Sequence, residues 1–547
     1  MPLPFQLPDP NQTERTPLVE QLLVMIAELL EQNRQQAETI QELRDEIAVL
    51  KGEKGKPRFK PSGMEQNTDP KDPPDGNSKR GGGEKPDSSN KRPGSAKRRK
   101  TTELRIHQEL LIPPAQPVPE GSRFKGYRDV VIQDLRIQAH NTRYRLEVWF
   151  TPDGEWLRGE LPPHLRDGRF GPELRRFALY QHHQCQVTQP LLYEQLRELN
   201  IDISVGQIDA LLSGRNESFF AEKDQILVTG IEVSKHITVD DSGARHKGKN
   251  GYVTQIGNDH FAWFSSTYSK SRINFLELLH AGSIRYDLNA HALDYWIDQG
   301  LPQGPRQALQ ASWPGTIGDP ECWEVHLDRL TIFDERHRRI ATEGALLGGL
   351  IEKGFSLDLV IVSDGAGQFA ILLHALCWVH GERLVHKLIP LNDRHREEQE
   401  RVRGEIWDLY RDLKRYQAEP DPAQAPLLEA RFDKIFTQRT SFQTLNRTLK
   451  WLHARKDKLL LVLKRPEIPL HTNGSENDLR GFVKWRKVSG GTRSDLGRRC
   501  RDTFASLKKT CRKLGISFWD YLADRIESKG MIPPLPDIIR QRAMATP

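Results

Sequence analysis

The chain predicts an α/β protein of several domains, with a mixed or parallel sheet interrupted by an all-helical insertion. A coiled coil and a basic linker precede the sheet. Three observations predict this. Two apolar runs end in carboxylate and then glycine: His236-Ile237-Thr238-Val239-Asp240-Asp241-Ser242-Gly243 and Leu357-Asp358-Leu359-Val360-Ile361-Val362-Ser363-Asp364-Gly365. A heptad pattern runs from Val19 to Leu50. A charged stretch of helical periodicity separates the second run from a third acid, Glu476. Continuous β-branched runs suit strands buried on both faces. Open α/β sheets place ligand chemistry beyond the carboxyl ends of such strands.

Length and composition bound the rest. A chain of 547 residues is long enough for three or four domains. An apolar content of 37% is low on average, so ordered cores are diluted by polar segments. A net charge of +7 favours a polyanionic partner. The five cysteines, Cys185, Cys322, Cys377, Cys500 and Cys511, are scattered and form no disulfide framework. The amino terminus lacks a signal pattern, and no apolar run approaches the roughly 20 residues of a membrane span. We therefore expect a soluble, cytoplasmic protein with no membrane partner.

Taken in order, residues 17–51 carry the heptad seam. Val19, Ile26, Asn33, Ile40 and Ile47 recur every seven residues, followed by Leu22, Leu29, Gln36, Leu43 and Leu50. β-Branched residues at a with Leu at d favour parallel dimers, and Asn33 at an a position fixes register. The alternative is an amphipathic helix packed on its own domain. Residues 52–101 read as a disordered linker with little to bury. Its cluster Lys97-Arg98-Arg99-Lys100 can hold phosphates without reading sequence; the bland alternative is a solvated tether. Residues 102–163 read as a small β-rich segment, with strands at 129–132, 135–137 and 144–150. A turn at Pro152-Asp153-Gly154 pairs Trp156 to Leu161 back as a hairpin.

Residues 164–225 read as helical. A helix over 190–199, a break at Asn200-Ile201-Asp202 and a second helix capped by Ser204 outline a helix-turn-helix. Helical hairpins without DNA are as common. Residues 226–392 and 464–525 then form the sheet domain. Strands over 231–239, 251–256 and 261–265 and a helix over 270–279 match how a ribonuclease-H-like sheet begins. A helix near 335–352, the strand ending at Asp364, and helices over 368–376 and from Val379 follow. Residues 393–463 are the all-helical insertion, with Ile406, Leu409, Tyr410 and Leu413 in helical spacing. Glu476 stands at the start of another helix with Leu479 and Phe482 facing inward. Residues 526–547 read as a loose, proline-rich tail.

The acids carry the chemistry. Phosphoryl transfer on DNA needs an activated water or 3′-hydroxyl and a neutralised leaving oxygen, which two divalent cations supply. Hard Mg²⁺ or Mn²⁺ takes oxygen ligands, so carboxylates at two strand ends and a helix suffice. Crowded carboxylates without a cation raise one another's pKa. The alternative is that Asp240 and Asp364 merely end strands and Glu476 merely caps a helix. Asp241 competes with Asp240; neighbouring strand residues point to opposite faces, so one of them faces the site. Asp240, directly after Val239, is preferred.

The stretches Val239-Asp240-Asp241-Ser242-Gly243, Ser363-Asp364-Gly365 with Cys377-Trp378-Val379-His380, and Asn473-Gly474-Ser475-Glu476-Asn477-Asp478-Leu479-Arg480 resemble three signature blocks. They are those of the insertion sequence 66 family of bacterial DDE-type transposases, in the same order along the chain. The resemblance covers most of residues 17–525. It implies a ribonuclease-H-like catalytic domain in which Asp240, Asp364 and Glu476 are the catalytic metal ligands of a two-metal Mg²⁺ or Mn²⁺ site. It implies a structural role for Cys377 and His380, and makes Asn473 and Arg480 companions of the Glu that contact DNA or order it. Three departures stand out. Asp241-Ser242 replaces the usual Glu-Thr. Thr472 and Asn477 replace the usual first Asn and first Arg of the third block. Residues 102–163 hold no cysteine, which excludes a Cys-based zinc site there, and Cys377 with His380 lacks a second pair, so no zinc is expected.

The expected function is thus a DNA transposase that cleaves element ends and joins them to target DNA, as a homodimer or higher oligomer and with possible accessory proteins. Lys484, Arg486 and Lys487 are candidates for gripping DNA near the scissile bond; a solvated basic face is the alternative. The rival function is a transposase-derived DNA-binding protein whose acids no longer act.

Overall fold

A computed structural model describes residues 104–162, 165, 168–312 and 315–545. The heptad seam and the linker, including Lys97 to Lys100, lie outside the described residues.

Up to Gly171 the described chain forms one hairpin. β1 (Val148–Phe150) pairs antiparallel with β2 (Trp156–Arg158) around the expected turn. The strands expected at 129–132 and 135–137 are absent, and Ile132 is 85% exposed. Alternation supplies propensity, but a strand persists only with a paired edge and an apolar face to bury, and a lone hairpin offers neither.

The helices that follow are set by their caps. α1 (Pro172–Leu179) opens with proline in its first turn and runs into a π-helical turn, Tyr180–Gln184. α2 (Gln189–Glu198) and α3 (Val205–Ser213) are the two expected helices, and Ser204 and Gln207 cap α3 reciprocally. α4 (Glu217–Glu232) absorbs Ile231, which the sequence placed in a strand. The reason is periodicity: Phe219, Phe220, Ile226, Leu227 and Ile231 are all buried at helical spacing.

β3 (His236–His246), β4 (Lys249–Gly257) and β5 (Ala262–Thr267) form the expected meander. α5 (Arg272–Leu279) follows, capped by Ser271. A small pair, β6 (Tyr286–Leu288) and β7 (Gly315–Ile317), encloses α6 (Ala290–Asp298) and α7 (Gln303–Ala311). α8 (Pro320–Arg329) then leads to α9 (Glu335–Glu352). A Cβ on Gly344 would stand 2.2 Å from the Trp296 ring, so α9 approaches α6 as closely as glycine permits. β8 (Val360–Ser363) and β9 (Leu373–Leu376) complete the main sheet, in the order β5-β4-β3-β8-β9. β8 and β9 run parallel to β3, whereas β4 and β5 run antiparallel within the meander. The helix expected over 368–376 is therefore a correction. Its residues form the edge strand β9, where Ala375 and Leu376 are buried and β8 satisfies the backbone.

α10 (Trp378–His386) leaves β9 directly. The insertion comprises α11 (Asp393–Ala418), α12 (Ala425–Thr437), α13 (Gln443–His453) and α14 (Lys456–Leu459). α15 (Asn473–Ser489), α16 (Asp495–Lys513) and α17 (Phe518–Glu527) return to the sheet. The tail is not loose: α18 (Leu535–Ala545) buries Leu535 and Ile539 and packs against α4.

Two large cores and a small cluster, in which Val253, Ala262 and Phe264 meet Leu479, Phe482 and Ala505, divide the described residues of this body. Ile237, Val239 and Ile361, on one face of the sheet, join a core that also holds α1 to α4 and α9. The helical region at 164–225 thus shares its interior with the sheet and is no separate domain. Val360 and Val362, on the other face, pack with the insertion. Among the described residues no helix is long and apolar enough to cross a membrane.

Candidate active site

Strand register brings the first two acids level. His236 stands opposite Val360 and Thr238 opposite Val362 in the parallel pairing of β3 with β8. Two residues further, the same register sets Asp240 beside Asp364. Gly365, at φ +97°, turns the chain immediately beyond. Asp364 Oδ1 accepts the Ala366 N–H at 2.9 Å and so fixes that turn. The glycine after the acid is thus a conformational requirement.

Alternation assigns the two neighbouring acids to different faces. Thr238, two residues before Asp240, puts its hydroxyl 2.6 Å from Ser475 Oγ on α15. Asp240 therefore faces the helix that carries Glu476. Asp241 shares the opposite face with Ile237 and Val239. There its Oδ2 accepts from Gln368 Nε2 at 2.6 Å and its Oδ1 lies 3.9 Å from Lys270 Nζ. Asp240 and Asp241 thus lie on opposite faces of β3, with Asp241 held by partners of its own.

The electrostatics agree. Burial pushes the Asp240 carboxyl up to about 6, with the Asp364 charge adding to the rise and His380 opposing it. Burial also raises Asp241, against the pull of Lys270 and Gln368. Glu476, in the first turn of α15, accepts from Arg383 Nη2 at 3.2 Å, and Arg383 Nη1 lies 3.2 Å from His380 Nε2. Among the described residues no three His, Cys, Asp or Glu side chains converge closely enough to hold one ion. Glu476 instead meets a guanidinium.

Cys377 and His380 occupy the start of α10. Cys377 is its buried N-cap, and its N–H donates to Ser363 O at 2.9 Å, tying the helix to the end of β8. Burial alone would raise the Cys377 thiol, but hydrogen bonding to His380 and Thr472 outweighs it and holds the thiol below its usual range. Burial lowers His380, and Cys377 more than restores it, with Asp364 contributing. The pair joins the caps of α10 and α15 beneath the acids.

Of the predicted DNA contacts, Arg480, Lys484 and Lys487 lie on the exposed face of α15, spaced along one stripe. Arg486 is committed elsewhere: its guanidinium donates to Gly243 O and pins α15 to β3. Asn473 is half-buried at the helix start, where its N–H meets His471 Nδ1. The helix-turn-helix outline is present as helices, but α3 carries Asp209 and no Lys or Arg, a poor charge for a phosphate-lined groove. Sequence reasoning missed Arg383, Ser475 and Thr238. Arg383 could have been found, because it stands one helical turn after His380.

Comparison with known proteins points to a family. Residues 325–499, which include Asp364, His380, Arg383 and Glu476, match the model of the family described as Transposase IS66 family. A protein of Sinorhizobium fredii (strain NBRC 101917 / NGR234), described as "Uncharacterized protein y4jO", is 44% identical over 321 residues, 58% of this chain and all of that relative. Fold and site define the class, a mixed-sheet protein with one acid within its central strand and a second just beyond the neighbouring parallel strand. The chain belongs to the IS66 family of transposases.

Proposed function

We propose that the chain is a DDE-type transposase that hydrolyses the phosphodiester at the ends of a mobile element and transfers the freed 3′-hydroxyl to target DNA. The observation that carries this reading is the level placement of Asp240 and Asp364 on adjacent parallel strands, facing the helix of Glu476. The donor set fits a hard divalent cation: the groups are carboxylates, and burial, with the Asp364 charge adding to it, pushes Asp240 up to about 6. Asp240, Asp364 and Glu476 would hold Mg²⁺ or Mn²⁺, which when bound activates the attacking oxygen and neutralises the leaving one.

The chain's own residues do the rest. Ser475 and Thr238 hold the start of α15 against β3, which keeps Glu476 on the acids' side of the sheet. His380, on α10, lies within electrostatic reach of both aspartates. Arg480, Lys484 and Lys487 lead away from Glu476 along one exposed face and would follow a phosphate backbone. Phosphate contacts of this kind position DNA without reading its sequence.

A second reading is favoured by one observation. Glu476 is paired with Arg383 and not with the aspartates, as in a DNA-binding descendant whose acids are idle. One assay separates the two. Full-length protein is incubated with labelled DNA bearing the repeats that flank its gene, with Mg²⁺ or Mn²⁺. The transposase reading expects nicking at the 3′ ends and joining, both lost in Asp364→Ala with DNA binding retained. End-specific binding with no nicking in either metal would establish the binding protein instead.

A further inference from the structure

The insertion presents a second charged surface that the three-acid site does not use. α13 buries Leu445, Leu449 and Leu452 and turns Arg447, Lys450 and Trp451 to solvent. Trp451 is 39% exposed, and Arg455 Cζ lies over its ring, 3.6 Å from the centroid. Arg455 Nη1 also donates to Trp451 O at 3.0 Å, so the pair is held in place. Lys458 follows on α14. Nearby Lys456 is neutralised by Asp433 and Glu429. Among the described residues Arg455 and Lys458 have no such acid partner, and Asp457 between them pairs with neither.

This corner is fixed beside the acids. α14 packs on β9, and Leu459 O accepts from Trp378 Nε1 at 2.8 Å. Arg272 donates to Gly367 O at 2.9 Å, on the loop that begins with Asp364. Burial lowers the Lys458 ammonium, and the charges of Arg455 and Arg272 lower it further. His374, hydrogen-bonded to Ser363 at 2.7 Å, feels the same two cations, Lys458 and Arg272, after burial. Arg272 is also paired with Glu343 at 3.5 Å, so Arg455 and Lys458 are the cations whose charge a compensating anion from outside would offset.

Topology places the corner across from α15. Both lie on the face of the sheet that carries Asp240: α15 packs over β3 and β4, while the insertion packs over β8 and β9. The acids stand between the two. We propose that Trp451, Arg455 and Lys458, with Arg272, form a second DNA-holding wall that grips an unpaired strand leaving the acids on the β9 side. The cations hold its phosphates, and the Trp451 ring stacks a base freed from its partner. A solvated basic face would need neither an ordered Trp–Arg stack nor cations crowded at the Asp364 loop. An aromatic face beside backbone-tracking cations is how single strands are held without sequence preference.

The inference rests on the transposase reading, and the test keeps the two apart. Full-length protein is titrated by fluorescence anisotropy, across a salt series, with a blunt labelled duplex and with the same duplex carrying a single-stranded tail. Parent protein binds both probes and prefers the tailed one. Trp451→Ala loses about tenfold on the tailed probe and nothing on the blunt one, and Trp451→Phe keeps the preference. Arg455→Gln with Lys458→Gln lowers the salt slope on the tailed probe by about 1.4, or about 0.7 for each single-strand phosphate no longer neutralised. Unaltered melting temperatures confirm that the exposed substitutions leave the fold intact. Parent-like affinity and slope in every variant would overturn the second wall and leave the transposase reading standing. A parent protein that binds neither probe would overturn both.

Discussion

The two faces of β3 carry adjacent acids into different surroundings. On one face Thr238 and Asp240 look toward α15, where Asp240 has Asp364 beside it. On the other, Ile237 and Val239 enter the main core, and Asp241 at its margin is satisfied by Gln368 and approached by Lys270. Asp241 has the neutralising neighbours of a structural acid. Asp240 has a second carboxylate and a deficit of positive charge. One residue of register thus separates a group that stabilises a loop contact from a group poised for a cation.

Three substitutions on the Asp240 face test this contrast most severely. Asp240→Asn, Asp364→Asn and Glu476→Gln should each reduce metal-dependent nicking at least a thousandfold, about 4 kcal/mol in the barrier, while DNA binding persists. Single-turnover nicking checks this; a variant retaining more than a hundredth of the parent rate would remove its residue from the site.

The next effect concerns stability in metal-free protein. The folded pKa of Asp240 is raised to about 6. Below the ordinary carboxylate range the group is protonated in both folded and unfolded states and costs nothing. As pH rises through about 6, the unfolded chain ionises more readily than the folded one, and stability is lost. The loss is at most about 3 kcal/mol, reduced by the solvent that reaches the group. Urea unfolding in chelator should therefore find Asp240→Asn more stable than the parent at pH 7.5 and equal to it near pH 4. Saturating Mg²⁺ should stabilise the parent and not the variant. A variant no more stable at pH 7.5 would show that Asp240 is not starved of positive charge.

Part of this candidate site was legible in the sequence: Asp364-Gly365 does follow a short apolar strand, whereas β3 runs on through Asp240 to His246. The strand register needed no long-range information beyond two apolar runs. β9 and the C-terminal helix α18 were illegible for a common reason: short apolar segments take their type from what they pair or pack with. Leu373–Leu376 is a strand because β8 offers an edge. Leu535–Ala545 is a helix because α4 offers a surface. The expected strands at 129–132 and 135–137 fail for the converse reason. Arg383 was within reach, one helical turn after His380, but its partner Glu476 stands 93 residues away and could not be read from the sequence.

A smaller effect tests how the Asp240 face is held. Thr238→Val keeps the shape of the side chain but leaves buried Ser475 Oγ without its 2.6 Å partner. The expected cost is about 1–3 kcal/mol in urea unfolding. Nicking should fall with it, since the start of α15 and hence Glu476 lose a tether. Adding Ser475→Ala should restore most of the stability by removing the orphaned hydroxyl. Failure of that rescue would mean that the hydroxyl pair does not link the strand to the helix.

The smallest effect is also the most discriminating. Asp241→Asn removes a charge one residue from Asp240, so proximity along the chain predicts severe loss. Alternation of faces predicts otherwise. An asparagine amide can still offer its oxygen to Gln368 Nε2, and only the weak attraction at 3.9 Å to Lys270 disappears. Nicking should stay within about tenfold of the parent, less than about 1.4 kcal/mol in the barrier. Loss as deep as that of Asp240→Asn would assign Asp241 to the reaction and require the middle of β3 to rearrange when DNA binds. An intact Asp241→Asn beside a dead Asp240→Asn would show that alternation along one strand, and not acidity in the neighbourhood, selects the reacting carboxylate.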